Sequence, residues 1–532
     1  MSSKAALTLE ERLEIVSRHW RLGDDHGTVT RLAQEFRISR RCVYDLTARV
    51  QAALTARPAG RPATARDAEA APQLRQRVQE LSADVEQLQA QLAVERSRAQ
   101  AQRFRLLLEL ALCPVSEDKL ARCLSAAFGR AGRVSTGWVH GQLHRAGQAA
   151  LALMQKPELR ETVREAALDE LFRHRQPILC VIEPRTLLAT VPQAAANRQG
   201  TTWQTLLAQY PNLEFVVSDQ ASGLRKGVNA CGREIAHQYD FFHCKREIQR
   251  WLRTQEARCY ERIAQAEQAR RLLLDARLGA GARIQAEVEY RTLTAALDER
   301  LLAFDWLTTI IAYWEESLTA YDTRRRRLRT KAAAEAQMEE VLALLREVRV
   351  IQTKSLCAML ENARPGLYTF LAVLEEKLQA IEIHWRNVTG SRSAVCNAVA
   401  RVWHTRPVAH LSARGQRAYL TALLGLTYWH KRIENFAEVQ RQVYEALDQM
   451  VRASSAVECF NSFLRPYVSV KKHLSQGFLA LIALYHNSRP LPQRDRQTPF
   501  QLAGVDLGDD DWIRLLEHEL RYGQAAAQQQ QA

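Results

Sequence analysis

The apolar positions between residues 8 and 50 recur at helical spacing and predict short helices separated by breaks. Thr8, with Glu11 three residues later, has the pattern of a capping box at the start of the first helix. A break rich in Gly and Asp follows, and Ser39 stands where it can cap the last helix. Two short helices joined by a tight turn are typical of a helix-turn-helix, which we predict over residues 1–54.

In a helix-turn-helix the second helix of the pair enters the major groove of DNA. We therefore predict base contacts for Arg40, Arg41 and Tyr44, near the start of that helix, and a phosphate contact for Arg49. An ordinary three-helix bundle with a solvated basic face has the same pattern and is the alternative.

The pattern changes after this domain. Residues 55–72 are rich in Pro, Ala and Arg and have no apolar period, which predicts a linker. Over residues 73–112 the apolar positions alternate in steps of four and three, which predicts a coiled-coil helix and a homodimer. A long helix docked on its own chain is the alternative. The predicted seam consists of Leu74, Val78, Leu81, Val85, Leu88 and Leu92.

Further along, helices alternate with strands. A helical pair over residues 113–160 is predicted to be a second DNA-binding domain. From residue 166 the apolar period shortens, and the order becomes three strands, helix, strand, helix, strand, which predicts an α/β core over 161–245. The third strand is placed at "LLATVP". The remaining predictions are an all-α insertion over 246–452, the last part of the core over 453–522 and a disordered tail over 523–532.

Charge narrows the choice of partners. The chain has 74 Lys and Arg against 59 Asp and Glu, a net charge of +15, which favours a polyanionic partner. The arginine run at 324–327 is either a solvated face or a contact to phosphates. No apolar run is long enough for a membrane helix and the N-terminus lacks a signal-peptide core, so we expect a cytoplasmic protein. The ten cysteines lack zinc-ligand spacing, which favours free thiols.

Three acidic residues are the candidates for chemistry. Asp169 lies in the first predicted strand, Asp219 ends the fourth, and Glu458 lies on a helix that we expect Pro466 to end. Two divalent cations about 4 Å apart need oxygen ligands, so these carboxylates predict a catalytic metal site. Glu183, at the end of the second strand, is the alternative to Asp169. Asp219 could instead be a helix cap and Glu458 a capping-box residue.

Polar residues beside Glu458 add to this prediction. Asn461 and Arg465 follow it on the same helical face, where they would hold a phosphate or steady the carboxylate. We also assign DNA contacts to Arg465, Lys471 and Lys472.

Over about residues 166–505 the chain resembles the RNase H-like DDE transposases of bacterial insertion sequences. The resemblance rests on "LDELF", "VVSDQASGL", "AVECFNSFLRP", "HNSRP" and "TPFQLAG". The long helical insertion between Asp219 and Glu458 looks like the arrangement in mutator-like and hAT-like elements. "YDFFHCKRE" is similar to the Cys/Asp-x-x-His motif of those relatives, with Asp240 and His243 in its positions as supporting residues.

The resemblance implies an RNase H-like core and a transposase with two Mg²⁺ or Mn²⁺ ions per active site. It implies cleavage at element ends, followed by attack of the freed 3′-hydroxyl on target DNA. The implied partners are terminal inverted repeats, target DNA and a second protomer, and the implied location is the bacterial nucleoid. The alternatives are a catalytically inactive, transposase-derived DNA-binding regulator and a metal-dependent nuclease without strand transfer.

Overall fold

The structure is a computed structural model and describes residues 7–22, 27–36, 38–55, 65–129, 133–386, 390–471 and 474–523. Helix makes up 68% of it and strand 7%, which confirms the prediction of a mainly α protein. The chain divides into two compact units, Met1–Ala99 and Gln100–Ala532. Among the described helices, none combines the length and the apolar content needed to cross a membrane.

Three helices of the first unit pack around a small apolar core, an arrangement that the helix-turn-helix prediction and its three-helix alternative share. Ile15, Leu32 and Val43 lie at its centre. The capping box is present, since the Thr8 N–H donates to the Glu11 carboxylate at 2.8 Å and the Glu11 N–H donates to the Thr8 hydroxyl at 3.2 Å. The helices of this unit are α1 Leu9–Leu22, α2 Thr28–Glu35 and α3 Arg40–Thr55, followed by α4 Ala65–Ala111, which continues into the second unit.

Helix α4 carries the heptad seam. It begins at Ala65, inside the range predicted as a linker, and residues 56–64 lie outside the described residues. Leu81, Val85, Leu88 and Leu92 are between 49% and 63% exposed, so this part of the seam faces solvent in the single chain. The side chains of Leu74 and Val78 are not among those described.

The second unit contains a five-stranded mixed sheet in the order β3-β2-β1-β4-β5. Strand β2 is antiparallel to β1 and β3, whereas β4 is parallel to both β1 and β5. Four of the predicted strands are confirmed. The strands are β1 Glu165–Arg173, β2 Gln176–Ile182, β3 Gln193–Ala194, β4 Phe215–Ser218 and β5 Ala236–Tyr239.

The predicted third strand at "LLATVP" is wrong. Only Ala189 in that segment bridges to the sheet, opposite Ile182, and β3 begins after Pro192. Leu187 adopts a left-handed backbone with φ of 61°, and Pro192 has no N–H to donate to a ladder. Leu188 and Ala189 are buried because they pack into the core beside the sheet rather than because they form a strand.

Helices cover both faces of this sheet. On one face, Ala166 and Leu168 join the core formed with the helices that follow β3 and β4. On the other face, Ala167 and Leu171 join the core formed with the helices that precede β1 and with those between residues 455 and 488. The flanking helices are α5 Glu117–Phe128, α6 Thr136–Met154, α7 Pro157–Glu161, α8 Gly200–Leu207, α9 Ser222–Asn229, α18 Ser455–Val470, α19 Gln476–Ser488, α20 Pro499–Leu502 and α21 Trp512–His518. The helices of the range 113–160 therefore share a core with the sheet.

Between β5 and α18 lies the helical insertion, which has its own core. It is not all α as predicted, because a two-stranded hairpin, β6 Tyr321–Asp322 and β7 Arg327–Leu328, follows its second helix. Its helices are α10 Phe241–Leu273, α11 Ala280–Ser317, α12 Lys331–Glu347, α13 Lys354–Leu367, α14 Thr369–Gln379, α15 Arg392–Thr405, α16 Ala413–His430 and α17 Phe436–Asp448.

Pro466 does not end α18, contrary to the prediction. The helix continues to Val470, with Pro466 inside it. Tyr467 and Val468, which follow the proline, are 4% and 8% exposed. Their burial in the core compensates for the backbone hydrogen bond that a proline removes. The tail predicted for 523–532 lies outside the described residues beyond Gly523.

Candidate active site

The sheet brings Asp169 and Asp219 together. Strands β1 and β4 are parallel, and Leu168 is the partner of Ser218, so each aspartate follows a paired residue by one position. Side chains alternate between the faces of a strand, and Ala167 and Val217 both face the core that contains α18. Both aspartates therefore lie on the α18 face of the sheet.

Two other acidic residues of the sheet region, Glu170 in β1 and Glu183 directly after β2, make contacts elsewhere. Glu170 points to the opposite face, where it accepts from the indole N–H of Trp203 at 3.2 Å and pairs with Arg198 at 3.2 Å. Glu183 is 7% exposed and accepts the backbone N–H of Thr186 at 2.6 Å, which closes the turn after β2. The register thus leaves Asp169 beside Asp219, and Glu183 lies toward the other end of β1.

Asp240 joins the start of α10 to the start of α18. Its Oδ1 atom accepts the backbone N–H of Phe242 at 2.7 Å, and its Oδ2 atom accepts the backbone N–H of Ser454 at 3.0 Å. The Ser454 hydroxyl also donates to Oδ2. Asp240 is 1% exposed, and its two carboxylate oxygens accept hydrogen bonds from the starts of two helices. Sequence reasoning missed Ser454, although a serine directly before a helix is a usual capping signal.

His243 contacts the third candidate acid. Its Nε2 atom lies 3.2 Å from Oε1 of Glu458, and Nη2 of Arg246 lies 2.9 Å from its Nδ1. Since a guanidinium only donates, Nδ1 accepts, and Nε2 carries the proton that it donates to Glu458. Asp240, His243 and Glu458 each offer a ligand atom within 4.8 Å of the others. The prediction named His243 only as a supporting residue, and its contact with Glu458 could not be read from the sequence.

Glu458 does not form a capping box. Helix α18 begins at Ser455, and its cap residue Ser454 makes no side-chain capping bond. The Glu458 side chain is 48% exposed and turns to His243 instead.

Asn461, one helical turn after Glu458, connects α18 to the sheet. Its amide Nδ2 donates to Oδ2 of Asp169 at 2.6 Å, and the residue is fully buried. Its Oδ1 atom is buried and has no hydrogen-bond partner among the described residues. Leaving a buried amide oxygen unpaired is costly, so this atom has capacity for a donor or a cation at the site.

The electrostatics of Asp169 depend on its burial and on the charged and polar groups around it. The pKa of Asp169 is raised from 3.8 to about 6, mainly by burial and in smaller part by the negative charge of Asp219. The Glu170 N–H, the Asn461 amide and the nearby His243 act in the opposite direction and lower this pKa. These effects show that Asp219 and His243 lie within electrostatic reach of Asp169. A raised carboxyl pKa beside a second carboxylate is a feature of functional sites.

Replacing Asn461 by alanine should raise the pKa of Asp169 above about 6. A charge-assisted hydrogen bond favours the ionised form, so its loss should move the pKa upward by about one unit. Because the folded-state pKa exceeds the unfolded value, the stability contributed by this group is complete at low pH and is lost as pH rises through about 6. Thermal unfolding followed against pH, relative to Asp169→Asn, should show that the loss extends to higher pH in the variant.

Ser462→Ala is the matched control for that experiment. Ser462 is exposed, and its hydroxyl donates to the carbonyl of Glu458 in its own helix at 2.9 Å. The control should leave the pH profile unchanged. An identical profile for Asn461→Ala and the wild type would show that the amide does not act on Asp169.

The predicted DNA contacts lie in different environments. Arg40, Arg41 and Arg49 are exposed on α3, and Tyr44 is 50% exposed. Arg465 is exposed on α18. The assignments of these residues stay predictions.

Lys471 lies in the interior, contrary to what a DNA contact requires. It is 5% exposed, and its Nζ atom lies 4.9 Å from the centre of the Phe478 ring. Burial lowers the pKa of Lys471. From the sequence, a lysine directly after a helix is expected at the surface. The packing of α18 against α19 instead buries Lys471 beside Phe478. Lys472 lies outside the described residues.

The structure therefore places two adjacent aspartates on the sheet and bonds the buried Asn461 of α18 to one of them. Glu458, on the same helix, lies with Asp240 and His243, and among the described residues it does not form a group of ligand atoms within 4.8 Å with Asp169 and Asp219. No protein-family model, curated protein or solved structure matches this chain.

Proposed function

We propose that this chain is a DNA transposase of the RNase H-like DDE type, which cleaves element ends and transfers the freed 3′-hydroxyl to target DNA. The observation that carries the proposal is the placement of Asp169 and Asp219 on the sheet face against which α18 packs with Glu458 and Asn461. The neighbouring positions of β1 and β4, as in the RNase H topology, support it as well.

The proposed function requires a divalent cation such as Mg²⁺ or Mn²⁺ at this site. Asp169, Asp219 and Glu458 supply carboxylate oxygens, the ligands that hard cations prefer. The charge of Asp219 raises the pKa of Asp169, and a bound cation would offset this repulsion. The unpaired Oδ1 of Asn461 is a further buried oxygen at the site. When bound, such ions activate an attacking oxygen and stabilise charge on a phosphodiester.

The chain's own residues have separable roles in this proposal. Asp169 and Asp219 would hold the cations from the sheet, and Glu458 would complete the set of ligands from α18. Asn461 orients Asp169 through its amide N–H. His243 orients Glu458 through its Nε2–H, and Asp240 secures both helix starts from which these two side chains project.

We assign the recognition of DNA and the pairing of two protomers to the first unit. The exposed face of α3, with Arg40, Arg41 and Tyr44, supports recognition of terminal inverted repeats in the major groove. The net charge of +15 supports a polyanionic partner. Together with the exposed heptad seam of α4, these features support a homodimer that binds two element ends.

Cleavage of the DNA that flanks the gene tests the proposed function. The full chain is incubated with a duplex containing the gene and its flanks, with Mg²⁺, Mn²⁺ or a chelator. We expect cut ends with 3′-hydroxyls and products joined to a second duplex, only when a divalent ion is present. Cut ends without joined products would favour the nuclease, and binding without cleavage in either ion would favour the inactive regulator.

Replacing Leu88 by glutamate should dissociate the homodimer. A charge buried at a seam position loses its hydration without gaining a partner, so we expect the dimer dissociation constant to rise at least about tenfold, or about 1.4 kcal/mol. Light scattering during size exclusion measures the change. Gln87→Glu adds the same charge at an exposed position beside the seam and should leave the dimer intact. If Leu88→Glu also leaves the mass unchanged, α4 does not carry the pairing.

A further inference from the structure

A short hairpin of the insertion presents four consecutive arginines to solvent. Strands β6 and β7 are joined by residues 323–326, and every residue from Thr323 to Arg327 is exposed. The stem below them is buried, since Tyr321 is 3% and Arg329 is 5% exposed. The basic loop therefore projects from a packed base.

Hydrogen bonds hold the loop backbone in place. Oδ1 of Asp322 accepts the N–H groups of Arg324 and Arg325 at 3.0 and 2.9 Å. At the other strand the Leu328 N–H donates to the Asn397 side chain at 2.7 Å. A fixed backbone reduces the entropy lost when the side chains bind a ligand.

The positive charge of the loop is largely uncompensated. Arg324 pairs with Glu316 at 2.9 Å, but no carboxylate in the described part of the chain lies within 4.0 Å of the guanidinium groups of Arg325, Arg326 or Arg327. Burial raises the pKa of Tyr321, and the charges of Arg401 and Arg326 oppose that rise, so Arg401 adds a further cation near the stem.

The hairpin lies at the same end of the insertion as the candidate active site. Helix α10 starts beside that site, where His243 contacts Glu458. Lys245, two residues along α10, pairs with Glu315 near the end of α11 at 2.8 Å. The next residue, Glu316, pairs with Arg324 of the loop. A run of short contacts thus leads from the site to the arginines.

We propose that the loop Thr323–Arg327 binds the phosphate backbone of the DNA duplex that reaches the candidate active site. The choice of DNA as the polyanion rests on the proposed function. Guanidinium groups bind phosphate oxygens through paired N–H donors, and each contact releases counterions from the duplex. The evenly spaced phosphates of a duplex can contact several adjacent arginines at once, whereas an isolated acidic group can contact only one of them.

The salt dependence of DNA binding tests this proposal. Affinity of the full chain for a labelled duplex is measured by fluorescence anisotropy at several salt concentrations, with a chelator present so that no cleavage occurs. The slope of log affinity against log salt changes by about 0.9 for each phosphate contact. The triple variant R325A/R326A/R327A should therefore lower the slope by about 2 to 3.

Two matched variants separate contact from net charge. R253A/R258A/R262A removes the same charge from exposed positions of α10 and should change the slope by less than about 1. R325K/R326K/R327K keeps the charge and should retain most of the slope. All substituted residues are exposed, so equal unfolding midpoints are expected for the three proteins.

Three results would overturn the proposal: an unchanged slope in R325A/R326A/R327A, an equal drop in the α10 variant, or a loss of affinity for duplex RNA but not for DNA. The outcome is independent of catalysis, since binding is measured without divalent ions. A wild-type chain that never cleaves DNA but shows the expected slopes would refute the transposase and leave the phosphate contact standing.

Discussion

Replacing Asp219 by asparagine should abolish divalent-metal-dependent cleavage of DNA, and Glu458→Gln should do the same. Each change keeps the shape of the side chain but removes the charge that a cation requires. We expect the cleavage rate to fall at least about 1000-fold, or about 4 kcal/mol in the barrier. Quantified cut ends, together with anisotropy to confirm unchanged DNA binding, measure the effect.

Glu170→Gln is the matched control for these variants. Glu170 is adjacent to Asp169 on the same strand but points to the opposite face, toward Trp203 and Arg198. Its replacement should leave cleavage within about threefold of the wild type, since a glutamine still accepts from Trp203 and the ion partner that is lost, Arg198, is 60% exposed. Cleavage that survives Asp219→Asn would remove this residue from the site. Cleavage that survives Asp169→Asn but not Glu183→Gln would move the first ligand to Glu183.

Replacing Gly147 by alanine should be strongly destabilising. Helices α6 and α19 touch through their backbones at this point: a Cβ atom on Gly147 would lie 2.7 Å from the carbonyl carbon of Gly477, and one on Gly477 would lie 2.8 Å from that of Gly147. Neither backbone can yield as a flexible side chain would, so we expect a loss of about 3 kcal/mol in the free energy of unfolding. Chemical denaturation measures it.

The same helix offers a control. No heavy atom lies within 4 Å of a Cβ placed on Gly141, so Gly141→Ala should gain about 0.5 to 1 kcal/mol from helix propensity alone. Equal stability of Gly147→Ala and Gly141→Ala would show that the two helices are further apart than described. Because α18 belongs to the same core as α6 and α19, we also expect Gly147→Ala to lower cleavage by displacing Glu458.

Local patterns predicted much of the secondary structure. The capping box at Thr8 and Glu11 formed because it involves atoms three residues apart, and the helices of the first unit followed their apolar period. The strands that carry or precede Asp169 and Asp219 were identifiable from short apolar runs. Where local and tertiary preferences disagreed, packing prevailed: α18 continues through Pro466 because the residues beyond it are buried.

The candidate site shows the same division. The types of its acidic residues and their positions at strand and helix ends were present in the sequence. Which of two adjacent acids, Asp169 or Glu170, faces α18 was not, because strand alternation has a direction only once one face is packed. The contact of His243 with Glu458 joins residues from opposite ends of the insertion, and no local pattern records it.

By itself, the sequence determined the helical character of the chain, the existence of a strand-rich segment and the supply of three acidic residues with a strongly basic background. The helices and strands depend on interactions between near neighbours, and the acidic residues and the charge follow directly from the composition. Only the tertiary structure decided the register that sets Asp169 beside Asp219, the burial of Lys471 and the orphaned oxygen of Asn461. Each of these depends on which surfaces pack together, and that is settled by tertiary contacts such as the one between Asp169 and Asn461, which are 292 positions apart.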